Sequence, residues 1–226
     1  FKKVPGSPIA YWASDKLIDV FSKKTYLSDL GKLGKGSDTG NNALFIRHWA
    51  EVPVDKIDFT VSNTNDSLSS NKKFFPTHKA GGFRKWYGFR EWVINWEANG
   101  RDVRAYGKGN VRNGSYFFRP CITCGKITSG AFSARYMPQG SIADDASPSM
   151  YAEGNERKAL AFLNSNLSAK LLQILSPTLN FQVGDVAKLP FPAAANEVAV
   201  SRLIQRATDD YNCNEISWDF QRIDFC

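Results

Sequence analysis

Lys72-Lys73-Phe74-Phe75-Pro76, Ala80-Gly81-Gly82-Phe83-Arg84-Lys85-Trp86-Tyr87-Gly88 and Glu91-Trp92-Val93-Ile94-Asn95-Trp96 form a basic, aromatic run whose reading decides the fold. Its apolar stretches are short, rich in aromatic and β-branched residues, and separated by glycine, which is the signature of strands joined by turns. Downstream, Tyr116-Phe117-Phe118-Arg119 and Phe132-Ser133-Ala134-Arg135-Tyr136 read as further strands, with Asn99-Gly100 and Asn113-Gly114 as turns. Upstream, Ala43-Leu44-Phe45-Ile46-Arg47 predicts a strand, residues 56–61 alternate in strand fashion, and residues 62–71 form a polar connector.

Helical patterns flank this body. Ser7-Pro8 reads as an N-cap with proline at the first helical position, followed by Ile9, Trp12, Leu17, Val20 and Phe21 at helical spacing to about Ser22. Gly31, Gly34, Gly36 and Gly40 break the next stretch into a loop. From Asn155 the character changes: Leu160, Leu163, Leu167, Leu171 and Leu175 mark one helix ending before Pro177. Residues 179–192 read as extended, with a turn at Val183-Gly184-Asp185. Asn196 can cap a last helix whose stripe is Val200, Leu203, Ile204, Ala207 and Tyr211, the kind of narrow face that packs on a neighbour. The fold class expected is α+β: a β-rich body with flanking and C-terminal helices.

The 226 residues carry a net charge of +7, and its location is more informative than its size. Residues 67–142 hold thirteen Lys and Arg against three acids, Glu91, Glu97 and Asp102, while the rest of the chain is slightly acidic. A polyanion is the natural partner of such a segment, because every phosphate it neutralises releases condensed counterions. A solvated basic face that aids solubility is the plainer reading. No apolar run approaches the roughly 18 residues of a membrane span, so no membrane partner is expected. The chain lacks an initiator Met and the apolar core of a signal peptide, and reads as a piece of something longer located in the cytoplasm.

Chemistry-bearing motifs are scarce. Cys121-Ile122-Thr123-Cys124 is a CxxC, yet Cys213 and Cys226 lie far from it in sequence, and His48 and His78 form no metal-ligand pair. The flanking residues read as strand and turn, whereas a redox CxxC opens a helix. Gly31-Lys32-Leu33-Gly34-Lys35-Gly36 is neither a dinucleotide-binding turn nor a P-loop. His48 reads as structural or ligand-contacting. Trp92, Val93 and Trp96 read as packing residues. The deficit favours a binding module. Its candidate DNA contacts are Lys72, Lys73, Lys79, Arg84, Lys85 and Arg90 in the basic run, with Gly81-Gly82 as a close approach to phosphate. A second set is Thr39, Asn41, Asn42 and Arg47, since Asn can pair with adenine through two bonds and Arg with guanine. Plainer roles are open to these residues too: Asn41-Asn42 as turn formers, and Arg47 as a partner of Glu51.

Thr39-Gly40-Asn41-Asn42, Phe45, Arg47, Trp49 and Glu51-Val52 match in order a TGxN…FxRxWxEV pattern. Lys73-Phe74-Phe75-Pro76, Gly81 to Gly88, Val93 to Gly100, Ile122-Thr123, Ser129-Gly130, Ala134-Arg135-Tyr136, Pro138-Gln139-Gly140, Asn180 to Asp185, Leu189-Pro190 and Ser217 to Phe220 continue it, as does the opening Pro5 to Trp12. Together they resemble the PglX family, adenine-specific methyltransferases of BREX phage-defence systems. The resemblance implies a target-recognition region that binds double-stranded DNA, with the catalytic domain of the same parent chain and other defence-system proteins as partners. S-adenosylmethionine is expected in that catalytic domain and no cofactor in this chain, since the family's Gly-rich loop and Asn-Pro-Pro-Tyr motif do not occur here. It also implies an entry helix over 1–30, a DNA target-recognition domain over 31–195, and a C-terminal packing helix and tail over 196–226. Departures fall at Cys121 and Cys124, which supports packing over metal binding, and at His78, Ala80 and Phe89, which implies a recognition loop that reads a different sequence or sits differently. Three alternatives stay open: the specificity domain of a combined restriction-methylation enzyme, a CxxC-based metal or redox protein, and an interaction scaffold built on the last helix.

Overall fold

A computed structural model describes residues 4–6, 10–22, 25–79, 81–126, 131–176, 181–192 and 195–220. In chain order the strands are β1 (Lys32–Gly34), β2 (Ser37–Asp38), β3 (Ile46–His48), β4 (Phe74–His78), β5 (Trp92–Asn95), β6 (Asn110–Val111), β7 (Cys121–Cys124), β8 (Ala134–Met137), β9 (Ile142–Ala143) and β10 (Ser149–Tyr151). The helices are α1 (Asp15–Val20), α2 (Asn42–Phe45), α3 (Thr64–Ser69), α4 (Glu97–Tyr106), α5 (Glu156–Leu163), α6 (Asn166–Leu175), α7 (Val183–Ala187) and α8 (Glu197–Asn212). The fold is α+β, as the alternation of segments predicts.

The strands form three sheets among the described residues, ordered β1-β10-β7-β8, β2-β6 and β3-β5-β4-β9. In the third, Ile94 of β5 lies opposite Ile46 of β3 on one side and Phe75 of β4 on the other. β9 joins its far edge in parallel, with Thr77 opposite Ile142. One face of this sheet packs Phe45, Phe75, Ile94, Trp96, Phe117, Phe118 and Ile142 into a core. Trp96, Phe75 and Phe118 are fully buried there; each such ring contributes roughly 1.5–3 kcal/mol. A second core joins the β7-β8-β10 sheet to α5 and α6 through Ile122, Met150, Leu160, Leu163, Leu171 and Leu172, with Phe21 and Leu27 added from the N-terminal part.

Several local expectations change. Residues 43–47 are not one strand: the Asn41 side chain accepts from Leu44 N and caps α2, so the chain extends only from Ile46. Residues 56–61 form a 3-10 turn (Val54–Lys56) and a single bridge from Ile57 to Phe74 rather than a strand. The polar connector contains α3, whose N-cap Asn63 accepts from both Asn65 N and Asp66 N. Tyr116 to Arg119 is not a strand either, because a 3-10 turn (Gly114–Tyr116) delivers Phe117 and Phe118 side by side into the core.

The leucine-rich stretch is two helices, since Ser165 caps α6 by accepting from Ser168 N. Val183-Gly184-Asp185 opens the short helix α7 rather than a turn in extended chain. The first helix is shorter than its periodicity predicts, starting at Asp15, while Ser7, Pro8 and Ile9 lie outside the described residues. Ala80, Ser129, Gly130, Pro177, Leu179, Asn180 and Cys226 do as well. Two signals hold closely. Asn196 caps α8 through Ala199 N, and Asn99-Gly100 is a left-handed turn with φ of 57° and 72°. Only glycine fits at position 100, because a Cβ there would stand 2.8 Å from the Trp96 ring. No helix among the described residues is long and apolar enough to cross a membrane.

Candidate nucleic-acid interface

Pairing of β3 and β4 on either side of β5 brings two remote stretches of sequence to one end of the sheet. An open groove of about 620 Å³ lies there, lined by Leu44 and Phe45 of α2, Arg47 of β3, Lys73 and Phe74, Asn95 of β5, and Asp102, Ala105 and Tyr106 of α4. Arg47 and Lys73 therefore share one site. The remaining members of the second candidate set precede or begin α2 and are not among the lining residues. Thr39 Oγ1 donates to Asn42 Oδ1 at 2.7 Å. Asn41 holds the α2 cap while its Nδ2 donates to the Tyr106 hydroxyl at 3.3 Å. Turn-making thus accounts for Asn41, whereas Arg47 does not pair with Glu51. Its Nη1 donates to Ala43 O and Ile46 O, and Glu51 instead accepts from His48 N.

The basic run divides by environment. Lys73 is exposed at the groove and lies 6.0 Å from the Phe74 ring. Lys72 Nζ donates to Asp55 O at 2.6 Å. Lys79 pairs with Asp144 at 3.6 Å. Arg84 Nη2 meets Asp210 of α8 at 2.9 Å while Nε donates to Tyr87 O. Lys85 Nζ donates to Asn164 O at 2.9 Å. Arg90 is buried, donates to the Tyr87 hydroxyl, and stacks 4.8 Å from the Trp218 ring. Arg84 and Arg90 consequently tie the run to the C-terminal segment.

Sequence reading missed Asn95, Asp102 and Tyr106, together with Lys108, whose Nζ lies 5.8 Å over the Tyr106 ring. The available signal was the helix-forming stretch after Asn99-Gly100. Hydrogen bonding from Arg101 holds the Asp102 carboxyl below its usual range, and burial opposes that only in part. Lys73, Arg104 and Lys108 have no carboxylate within ion-pair distance among the described residues. A charged rim around partly aromatic walls suits a ligand with anionic and planar parts.

The CxxC is built differently from a metal or redox site. Both thiols sit on β7 three residues apart, so they point to opposite faces, Cys124 into the core of α5 and α6 and Cys121 against Met137 and Tyr151. Burial pushes Cys121 up to about 12 and Cys124 to about 11, so neither presents a thiolate. His78 is buried with Nε2 3.2 Å from Ser149 Oγ, and burial, reinforced by the charges of Arg135 and Arg90, lowers it to about 3. His48 Nδ1 caps a 3-10 turn by accepting from Ala50 N. No group of three or more metal-ligating side chains occurs among the described residues.

The sequence of this chain is homologous to a segment of adenine-specific methyltransferases, as the motifs implied. Adenine-specific methyltransferase PglX of Lacticaseibacillus casei (strain Zhang) is 41% identical over 233 residues, covering 97% of this chain and 19% of that protein. Adenine-specific methyltransferase BrxX of Escherichia coli O9:H4 (strain HS) is 37% identical over 231 residues, covering 98% of this chain and 18% of that protein. The chain thus spans about a fifth of the length of the curated relatives it matches. No family model matches it.

Proposed function

We propose that this chain is the sequence-specific DNA-recognition module of an N6-adenine DNA methyltransferase in a restriction-modification-like phage-defence system. It grips duplex DNA, while S-adenosylmethionine and the extruded adenine are handled by a catalytic domain elsewhere in the same cytoplasmic parent protein. In this reading residues 31–195 form the recognition domain, 1–30 lead in from the catalytic domain, and 196–226 are a packing helix and tail. The observation that carries the reading is the groove at which Arg47 and Lys73 converge beside Tyr106. The relatives' names supply the adenine.

Within the candidate set, Arg47, Lys73 and Asn42 are the DNA-facing residues, joined by Lys108. Thr39 and Asn41 shape the loop; Lys79, Arg84, Lys85 and Arg90 spend their charge inside the protein. Titration of random-sequence duplex DNA at low and moderate salt tests this. Lys73→Ala/Lys108→Ala is expected to lower the salt slope by about two, and Arg84→Ala/Lys85→Ala to leave it unchanged. Binding that is insensitive to salt, or absent at low salt, overturns the proposal.

A further inference from the structure

The groove holds more than positive charge, and its donors and acceptors can be matched to a ligand. Arg47 Nη1 donates to Ala43 O at 2.6 Å and to Ile46 O at 2.7 Å. These two bonds fix the guanidinium plane in advance, so less freedom is lost on binding. Its Nε and Nη2 have no hydrogen-bond partner among the described residues.

Asp102 lines the same groove with 39% of its side chain exposed. Its carboxylate accepts from Arg101 Nε at 3.0 Å and from Asn95 Nδ2 at 3.4 Å, which leaves acceptor sites free. Hydrogen bonding from Arg101 lowers this carboxyl further below its usual range, so it is an anion at neutral pH. An ionised carboxylate repels phosphate, so the groove is not a simple phosphate cradle. A pre-set planar fork and a free acceptor that line one groove complement a base pair instead. Only guanine offers the fork two adjacent acceptors in the major groove, O6 and N7, and its partner cytosine presents an amino donor at N4.

We infer that Arg47 and Asp102 are the specificity-determining residues of this groove and read one guanine·cytosine pair, Arg47 on guanine O6 and N7 and Asp102 accepting from cytosine N4. Lys73 and Lys108 hold flanking phosphates, which position without specifying. The inference rests on the DNA-recognition reading above and adds to it the identity of a base pair.

The test is selection of preferred duplexes from a randomised pool by the chain, by Arg47→Ala and by Asp102→Asn. A titration of the unaltered chain on the selected duplex accompanies it, with 7-deazaguanine in place of the guanine. A guanine·cytosine pair is expected at one position. Losing N7 should weaken binding about 5-fold or more, and Arg47→Ala should erase roughly 5- to 150-fold discrimination there while the salt slope holds. Asp102→Asn should lower discrimination for the cytosine amino group at the same position.

Unchanged selection by both variants, together with indifference to 7-deazaguanine, overturns the inference. So does an Arg47→Ala loss that is equal on all sequences with a slope lower by about one, which marks a phosphate contact. Selection of a preferred duplex that carries no required guanine·cytosine pair overturns the inference and leaves the DNA-recognition reading standing. No binding at low salt overturns both. The 7-deazaguanine arm uses the unaltered protein, so poor folding of a variant cannot mask the answer.

Discussion

Replacing Arg90 by alanine separates the two roles that a cation in the basic run can play. Its guanidinium lies 4.8 Å from the Trp218 ring centroid and 5.5 Å from that of Tyr87. Two desolvated cation–π contacts contribute about 1–2 kcal/mol each, and the charged bond to the Tyr87 hydroxyl adds about 1.5–3 kcal/mol. Against this, Arg90 Nε is buried without a partner, and removing it recovers about 1–3 kcal/mol. The net expectation is a loss of about 0.5–6 kcal/mol centred on about 3 kcal/mol, the centre being roughly 6–12 °C in Tm for a chain of this size. Urea unfolding should show the midpoint falling at constant m. Arg90→Lys should not restore it, because a point charge lacks the plane that stacks on Trp218. DNA affinity per folded molecule should be unchanged. A stability loss below about 1 kcal/mol, accompanied by a salt slope lower by about one, would refute this and put Arg90 on DNA.

Other perturbations test other parts of the fold. Thiol labelling mapped by mass spectrometry should modify exposed Cys213 in the native protein, and buried Cys121 and Cys124 only in denaturant. His78 is held neutral, with its pKa lowered from 6.5 to about 3. The unfolded chain therefore binds the extra proton between those values, and stability is full above pH 6.5 and lost as pH falls toward 3. About 2 kcal/mol should be gone by pH 5, and urea unfolding of His78→Gln should show that slope abolished. Gly36→Ala drives a Cβ into the backbone carbonyl of Ala143, so β2 must shift. A loss of at least 2 kcal/mol is expected in the same assay, and a neutral result would mean that the close approach of Gly36 to Ala143 is wrong.

Arg135 shows how far the interior departs from a simple apolar core. It is nearly fully buried, and its Nε and Nη2 lack partners. Burial lowers its pKa to about 10, so it stays charged at neutral pH, with the Phe89 ring 4.8 Å away. Asp144 is likewise pushed up by burial, with the Lys79 charge opposing. Much of the central positive charge is therefore part of the architecture.

Features set by a few neighbouring residues were legible in the sequence. The α+β class, the Asn196 cap of α8, the strand character of Trp92–Asn95 and Cys121–Cys124, and the left-handed turn at Asn99-Gly100 follow from local periodicity, capping and steric freedom. The order of motifs also sufficed to mark the likeness to adenine-specific methyltransferases. Asn41 shows a local signal that outweighs propensity: as a cap it turns 42–45 into a helix where β-propensity predicts a strand. What tertiary structure alone decided was which cations are free. Arg84 meets Asp210 and Arg90 meets Trp218 across more than a hundred residues of chain. Arg47 and Lys73 meet because β5 lies between β3 and β4. Composition counts charges, but whether a charge faces solvent or is spent on a carboxylate or an aromatic ring depends on long-range packing, which no local window contains.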